Sequence, residues 1–384
     1  MKLLQDNGSK RKVAAWYWRS LAGSVALLGL ASSVAAEHSG LNFAPTGTVR
    51  TVAYAPDPQL EGRLAIAGSD TMRPLLTRLA GDFVRQHPRV KIAVEGTGSS
   101  QAIREFVIGL SGQRRGDKSR GTGHEGAAQA NILASSRELT ADEVGKFSSR
   151  FGYEPLVMPI AMDAVALYVH KNNPLRVLTL EQVDAIFGGS HSGNGKDVTT
   201  WDQLGVKELE NQPIHLYGRD KRSGTHDFFQ AVALGGGRIK SSVVEEPGSA
   251  SLVLSIARDP LGIGYAGVGF AISDVRALAL SKDSGGQGVL PTLESVSDGS
   301  YPMRRSLYLY VNQNTKEKFN PVLLQFLNYI MSERGQEIVV SMKAYPLPQT
   351  MLTKNLALLA GSVADVRKGS GKDGARGDIE VPVF

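Results

Sequence analysis

The chain has 384 residues, of which 42% are hydrophobic, so it is long enough for two domains with sizeable cores. Its formal net charge is +6, but residues 1–36 alone hold five basic residues and one acidic residue. The rest of the chain is therefore close to neutral, which argues against nucleic acid as a partner. The sequence contains no cysteine, and this excludes a disulfide framework and a lipid-modified cysteine.

The N-terminal residues have the pattern of an export signal. Basic residues at 10–12 precede an apolar segment at 21–31, and small residues follow as far as Ala36. The apolar segment is too short to cross a bilayer comfortably. We interpret residues 1–36 as a signal peptide, which predicts a periplasmic protein with no membrane insertion after signal removal. An uncleaved anchor and secretion into the medium are the alternatives.

After this segment, the sequence alternates between strand-like and helix-like segments. Residues 37–61 are polar, contain three prolines and are predicted to be a flexible leader. The segment 306–311 is interpreted as an edge strand. Short apolar runs predict further strands, and apolar residues at helical spacing predict helices at 72–86, after Ser100, at 179–187 and at 321–340. This alternation indicates an α/β fold with mainly parallel sheets.

Three glycine-rich or polar segments interrupt the alternation or follow it. Residues 111–126 contain almost no apolar side chains and are predicted to be an exposed, solvated loop. The glycine-rich segment 188–197 resembles a phosphate-binding P-loop but lacks the required first glycine and the final Ser or Thr, which favours a plain turn. The chain from 361 onward is rich in Gly and charge and is predicted to be flexible.

Three of the predicted strands end in the same kind of turn, in which Gly, Ser and Thr precede a helix. Free N–H groups and the positive end of the helix dipole lie at such a turn, which suits an anion. In parallel sheets these turns share one edge, so we expect a pocket for a small oxyanion. For the Gly, Ser and Thr residues the alternative is helix capping alone, and for Arg219 the alternative is a surface salt bridge. The candidate residues are Ser69, Asp70 and Thr71; Gly98, Ser99 and Ser100; and Arg219, Ser223, Gly224 and Thr225.

Other classes of site have weaker support in the sequence. The seven histidines are scattered, with no two at the helical spacing of a zinc site, so we expect no metal and no cofactor. No segment has the Gly-x-Ser-x-Gly pattern of a hydrolase nucleophile. We therefore expect a protein that is not an enzyme. A secreted phosphatase and an adhesion protein stay as alternatives from other functional classes.

Eight segments in a fixed order resemble the periplasmic phosphate-binding receptors of ABC transporters, the PstS-like solute-binding proteins. The resemblance covers about 62–350. The segments are AGSDTM at 67–72, EGTGSS at 95–100, ASSREL at 134–139, LTLEQVDAIFGG at 178–189, GRDKRSGTHDFF at 218–229, IGYAG at 263–267, YPMRRSLYLY at 301–310 and GQEIV at 335–339.

The resemblance implies a two-lobed periplasmic-binding-protein fold. Each lobe would be a mainly parallel sheet flanked by helices, and the lobes would be hinged over a central anion site. Residues 62–160 and 268–350 would form lobe I, and residues 161–267 would form lobe II. Residues 351–384 would be a C-terminal helix and a flexible tail.

The resemblance also implies a function. The protein would be a monomer that captures inorganic phosphate and delivers it to an ABC permease in the membrane. Arg219 would be the phosphate-contacting arginine, and the hydroxyl and glycine residues of the three turns would donate hydrogen bonds. A receptor for another oxyanion, such as sulfate, molybdate or tungstate, is the alternative.

One departure from the family pattern bears on ligand choice. Members of the family present an aspartate to the ligand in the segment that matches ASSREL, whereas this chain has Ser136 followed by Arg137. That aspartate accepts the proton of monohydrogen phosphate and repels sulfate. We hypothesise that Asp70 takes this role because its turn is expected to face the ligand. Arg137 is either a second cationic contact or an exposed or ion-paired residue.

Overall fold

The computed structural model describes residues 53–109, 132–189 and 197–369. The predicted signal peptide, most of the leader, the 111–126 loop, most of the 188–197 turn and the part of the predicted tail beyond 369 lie outside these residues. Residues 361–369, predicted as part of the flexible tail, instead continue the last helix. Of the helices in the described part of the chain, none combines the length and the hydrophobicity needed to cross a membrane.

Strands and helices alternate through the described residues, as the sequence predicts. The helices are α1 (Arg73–Gln86), α2 (Ser99–Val107), α3 (Ala141–Phe151), α4 (Leu180–Phe187), α5 (Gly224–Ala233), α6 (Ser249–Arg258), α7 (Leu293–Asp298), α8 (Pro321–Met331), α9 (Glu333–Ser341) and α10 (Gln349–Gly369). The strands are β1 (Gly62–Gly68), β2 (Val90–Gly96), β3 (Ile132–Ser135), β4 (Leu156–His170), β5 (Val177–Thr179), β6 (His215–Arg219), β7 (Val244–Glu246), β8 (Gly262–Gly267), β9 (Val275–Ala277), β10 (Ala279–Ser281) and β11 (Arg304–Val311).

Nine of the described strands form one mixed sheet in the order β2-β1-β3-β11-β4-β8-β6-β7, with β9 beside β4. The strands are parallel at the two ends of this order and antiparallel on both sides of β11 and β4. Strands β5 and β10 form a separate parallel pair. Parallel pairs joined through helices are the pattern expected of an α/β protein, so the predicted fold class is confirmed.

Strand β11 corrects one sequence prediction. It was expected at an edge, but it lies in the middle of the sheet, paired with β3 on one side and β4 on the other. Its partners begin more than 130 residues earlier in the chain. The alternation of side chains along a strand reports which faces are buried, and it carries no information about how many neighbours the strand has.

Local capping signals place the helix boundaries. Thr179 caps α4 through a reciprocal capping box with Gln182, as its position before an apolar helical segment predicts. The predicted helix at 321–340 is instead two helices, because Ser332 ends α8 and caps α9 by accepting a hydrogen bond from Gly335.

The described residues form two large hydrophobic cores, one at each end of strand β4. The first core includes Leu64, Leu76, Phe83, Leu309 and Phe326. The second core includes Leu167, Trp201, Phe229, Tyr265 and Leu280. Strand β4 supplies residues up to Ala161 to the first core and residues from Met162 onward to the second, so it crosses from one to the other.

The lobe boundaries inferred from the family resemblance stay a prediction. The buried apolar side chains between Val268 and Met303 pack in the second core together with those of residues 162–266. This packing favours a division in which 268–303 belong to lobe II rather than to lobe I.

A buried carboxylate joins three helices around the first core. Asp82 on α1 accepts hydrogen bonds from Tyr329 on α8, at 2.5 Å, and from Arg334 on α9, at 3.1 Å. It also pairs with Arg85. Hydrogen bonds from Arg334 and Tyr329 and the charges of both arginines outweigh burial and hold the pKa of Asp82 well below its usual range.

We expect Asp82→Asn to lower the free energy of unfolding near neutral pH by about 1–2 kcal/mol, since charge-assisted hydrogen bonds to partly exposed arginines are lost. Because the folded-state pKa is depressed, the contribution of Asp82 is complete above its unfolded-state pKa. It is lost as the pH falls toward the lower folded-state value. Urea unfolding at neutral and acidic pH measures the difference. Asp142→Asn, in an exposed pair with Lys146, is the control, and equal stability of the Asp82 variant and the wild type would contradict the prediction.

Candidate functional site

The three turns predicted from the sequence lie at the carboxyl ends of β1, β2 and β6, as expected. The first two are joined by a backbone hydrogen bond from Gly98 N–H to the Gly68 carbonyl at 2.8 Å, and Ser69 N–H joins the first turn to β3 by donating to the Ala134 carbonyl at 2.8 Å. A Cβ at position 68 would lie 2.0 Å from the Ala134 carbonyl oxygen. Glycine at 68 therefore allows the turn after β1 to approach the end of β3 closely.

Helix capping accounts for part of this polar arrangement. Ser223 accepts a hydrogen bond from Thr225 N–H at 3.1 Å, and Ser69 accepts one from Met72 N–H at 3.3 Å. A hydroxyl that accepts a backbone bond still has its own proton to donate. The capping alternative and the ligand alternative are therefore compatible for Ser69 and Ser223, both of which are buried.

The turn after β6 meets the other two turns across a cleft between the two cores. Asp70 accepts a hydrogen bond from Arg219 at 2.8 Å, and the hydroxyl oxygens of Thr71 and Thr225 are 3.2 Å apart. The backbone N–H of Ser100 also donates across the cleft, at 3.0 Å, to the Arg222 carbonyl. Side chains and backbone from both sides are thus in direct contact, and the cleft is closed.

Arg219 is the most deeply buried charged group at this cleft, with its side chain only 1% exposed. Its guanidinium donates to Ser249 Oγ at 3.0 Å, to the Pro247 carbonyl at 2.9 Å and to the Glu246 carbonyl at 3.3 Å, in addition to Asp70. The salt bridge considered for this residue is present, to Asp70, but it is buried rather than at the surface. A fork of charged donors is held rigidly at the place where the sequence predicts an anion.

Ser136 is fully buried at the same cleft. Its hydroxyl oxygen lies 3.2 Å from Ser99 Oγ, and its backbone N–H donates to Ser99 Oγ at 3.2 Å. Gly224, from the opposite side, packs against both serines, since a Cβ there would lie 2.7 Å from Ser99 Oγ and 2.8 Å from Ser136 Oγ. Ser136 thus contributes a hydroxyl group where relatives implied by the sequence resemblance present a carboxylate.

Arg137 is an ion-paired residue rather than a free cation. It makes two hydrogen bonds of 2.8 Å to the carboxylate of Glu143 and one of 3.1 Å to Asp227 across the cleft. Burial alone would lower the pKa of Arg137, but the bonds and charges of these two carboxylates raise it above its usual value. Of the two hypotheses for this residue, the geometry favours the ion pair.

Asp227 connects this pair to the second turn. Its carboxylate also accepts a 2.5 Å hydrogen bond from Ser100 Oγ. Burial raises the pKa of Asp227, but hydrogen bonds from His226 and Ser100 and the charge of Arg137 hold it below its usual value. The Ser100 hydroxyl is thus committed to Asp227, while its backbone N–H is committed to Arg222.

Sequence reasoning missed two buried charged residues at the base of the cleft. Arg305 on β11 and Asp163 on β4 form an ion pair of 2.7 Å, with side chains 2% and 6% exposed, respectively. Arg305 also donates to Thr225 Oγ1 at 3.0 Å. The available signal was the pair Arg304 and Arg305 at the start of the mostly apolar segment that forms β11. Within the described residues, no cluster of three or more His, Asp or Glu side chains could hold a metal ion.

We expect Gly224→Ala to prevent full closure of the cleft without unfolding the protein. The added methyl group would overlap Ser99 and Ser136 on the other side. Small-angle X-ray scattering should give a larger radius of gyration for this variant than for the wild type. An unchanged circular dichroism spectrum would show that the variant is folded. Gly145→Ala is the matched control because position 145 has open space around it. A Gly224→Ala variant as compact as the wild type would contradict the prediction.

Comparisons with known proteins agree with this geometry. Residues 52–334 match the family model described as the PBP superfamily domain. The chain is 35% identical over 303 residues to the phosphate-binding protein PstS of Pseudomonas aeruginosa. This alignment covers 78% of this chain and 88% of that protein. It is 28% identical over 297 residues to Protein SphX of Synechocystis, covering 76% of this chain and 80% of that protein.

Solved structures match the fold as well. A putative phosphate ABC transporter substrate-binding protein with bound phosphate from Clostridium perfringens is 25% identical, with a TM-score of 0.59 over 75% of this chain and 100% of that one. An ABC-type phosphate transport receptor from Vibrio cholerae is 21% identical, with a TM-score of 0.55 over 74% of this chain and 100% of that one. The predicted two-lobed periplasmic-binding-protein fold is thus confirmed, and the chain belongs to the PBP superfamily and, within it, to the PstS family of phosphate-binding proteins.

Proposed function

We propose that this protein is an exported, monomeric solute-binding protein that captures inorganic phosphate between two lobes and delivers it to an ABC permease in the membrane. The observation that carries the proposal is the buried Arg219 guanidinium in a cleft lined by serine and threonine hydroxyl groups and the N-termini of two helices. The PstS relative and the phosphate-bound structural neighbour support phosphate as the ligand.

The site would bind phosphate with many neutral donors and one positive charge. Hydroxyl groups of Ser69, Ser99, Ser136 and Thr225 are buried at the cleft, and the first N–H groups of α2 and α5 lie beside them. Such donors are strong toward an ionised oxygen in a site that excludes water. Gly224 is proposed to donate through its backbone N–H, whereas the N–H of Gly98 is already bonded to the Gly68 carbonyl and Gly98 serves to shape the turn.

Asp70 is the proposed acceptor for the proton of monohydrogen phosphate. Its Oδ2 accepts the Arg219 bond, and its Oδ1 has no hydrogen-bond partner among the described residues. Monohydrogen phosphate can donate a proton to this oxygen, whereas sulfate has no proton and would be repelled. Asp70 would thus replace the aspartate that Ser136 lacks. A receptor for sulfate, molybdate or tungstate is the second candidate, and it is favoured by Ser136 itself.

Binding would be coupled to closure of the cleft. The contacts of Asp70, Thr71 and Ser100 with the opposite side exist only when the two sides meet. A ligand shifts the open–closed equilibrium only as far as it binds the closed form better, and an anion that contacts donors from both sides does so. Release to a permease would then require reopening, and no bond of the ligand is made or broken.

We expect Arg219→Met to weaken phosphate binding by about 100-fold or more, because charge-assisted hydrogen bonds to the anion are lost. Isothermal titration with phosphate, after unfolding and refolding to remove bound ligand, measures the affinity. Arg222→Met is the matched control, since that side chain is exposed and its cleft contact is made by the backbone. Retained affinity in Arg219→Met, or a wild-type protein that binds no phosphate, would contradict the proposed function.

We expect Asp70→Asn to lose the preference for phosphate over sulfate, because an amide can donate a proton to sulfate where the carboxylate repels it. Competition between the two anions in the same titration gives the ratio of their dissociation constants. An unchanged ratio would refute the proposed role of Asp70 while leaving phosphate capture intact.

A further inference from the structure

The ion pair between Arg305 and Asp163 lies where the chain crosses between the two cores. Arg305 near the start of β11 is directly opposite Asp163 on β4 in the antiparallel register. Its Nε and Nη2 both donate to Asp163 Oδ2, at 2.9 and 2.7 Å. The Phe228 ring centre lies 5.4 Å from the guanidinium carbon and packs against the arginine. The guanidinium therefore has one defined orientation.

This orientation directs a third donor at the Thr225 hydroxyl. Arg305 Nη1 lies 3.0 Å from Thr225 Oγ1, and Thr225 is fully buried. A guanidinium can only donate, so the threonine oxygen must accept this hydrogen bond. The single proton of the hydroxyl is then free for another acceptor, and Thr71 Oγ1, 3.2 Å away across the cleft, shows where it can point.

We propose that Arg305, held in place by Asp163, is a positioning residue that keeps the Thr225 hydroxyl as a hydrogen-bond donor toward the anion in the cleft. The inference rests on the proposed function and adds to it a specificity device outside the three turns. The ligand oxygen that faces Thr225 accepts this hydrogen bond, and an ionised oxygen accepts it more strongly than the oxygen of a P–OH group. The proton of monohydrogen phosphate is thereby left for the side of the cleft that holds Asp70.

Asp163 sets the net charge of this arrangement as well as the position of Arg305. Because Asp163 neutralises Arg305, the pair supplies a directed donor without a second positive charge beneath the ligand. Gly267 lies beside it, and a Cβ there would be 3.3 Å from Asp163 Oδ2 and 3.4 Å from Thr71 Cγ2. The ion pair, Thr225 and Thr71 thus form one packed polar row from the crossing strands to the cleft.

A double-mutant cycle separates positioning from a merely structural role. Arg305→Met combined with Asp163→Asn removes the pair without leaving a buried charge, and Thr225→Val removes the hydroxyl at nearly constant shape. We expect the paired change to weaken phosphate binding about tenfold with Thr225 present, and by less than about twofold in the Thr225→Val background. Isothermal titration gives the dissociation constants, and thermal unfolding without phosphate verifies that each variant is folded.

Equal losses in the two backgrounds, or no loss in either, would overturn the inference. Arg305→Lys run through the same cycle decides the question if the paired variant does not fold, since lysine keeps the charge opposite Asp163 but lacks the fork that reaches Thr225. Arg304→Gln is the neighbouring control, because Arg304 is exposed and donates to the Val296 carbonyl. A wild-type protein that binds no phosphate would refute the proposed function, whereas normal wild-type binding with additive losses would refute only the role of Arg305.

Discussion

Burial of the Arg219 guanidinium between two hydrophobic cores is the constraint on which the rest of the structure depends. A charge removed from water is tolerated only where hydrogen-bond acceptors surround it. Ser249 and the carbonyl groups of Glu246 and Pro247 supply acceptors on one side, and Asp70 supplies a carboxylate on the other. Full pairing of the arginine therefore requires the two sides of the cleft to be in contact.

The sheet determines which groups meet when the cleft is closed. Strand β4 passes from one core to the other, β11 runs antiparallel beside it, and the two strands carry Asp163 and Arg305 at the crossing. Two paired strands can bend, but they limit sliding of one core past the other. In the closed cleft, the turn after β6 places Thr225 opposite Thr71 and Gly224 against Ser99.

Charges and neutral donors are separated around the cleft. Arg137 lies to one side, where Glu143 and Asp227 neutralise it, and Arg305 lies beneath, where Asp163 neutralises it. The centre is lined by hydroxyl groups and helix N-termini, with Arg219 and Asp70 as its charged pair. Under the proposed function this arrangement suits an anion that both accepts and donates hydrogen bonds, because the neutral donors would bind its oxygens and a carboxylate oxygen of Asp70 would accept its proton.

The sequence by itself determined the α/β alternation, the three turns at strand ends and the family, because these depend on residues that are neighbours in the chain. The N-cap at Thr179 and the glycine turn after β1 follow from local backbone chemistry. Only the tertiary structure decided that β11 is a central strand, that Arg137 pairs with Asp227 and that Arg305 pairs with Asp163, 142 residues away. The ion-pair partner of a long charged side chain depends on which strands and helices the fold brings together. Residues that are neighbours in the chain carry no information about a partner more than 100 residues away.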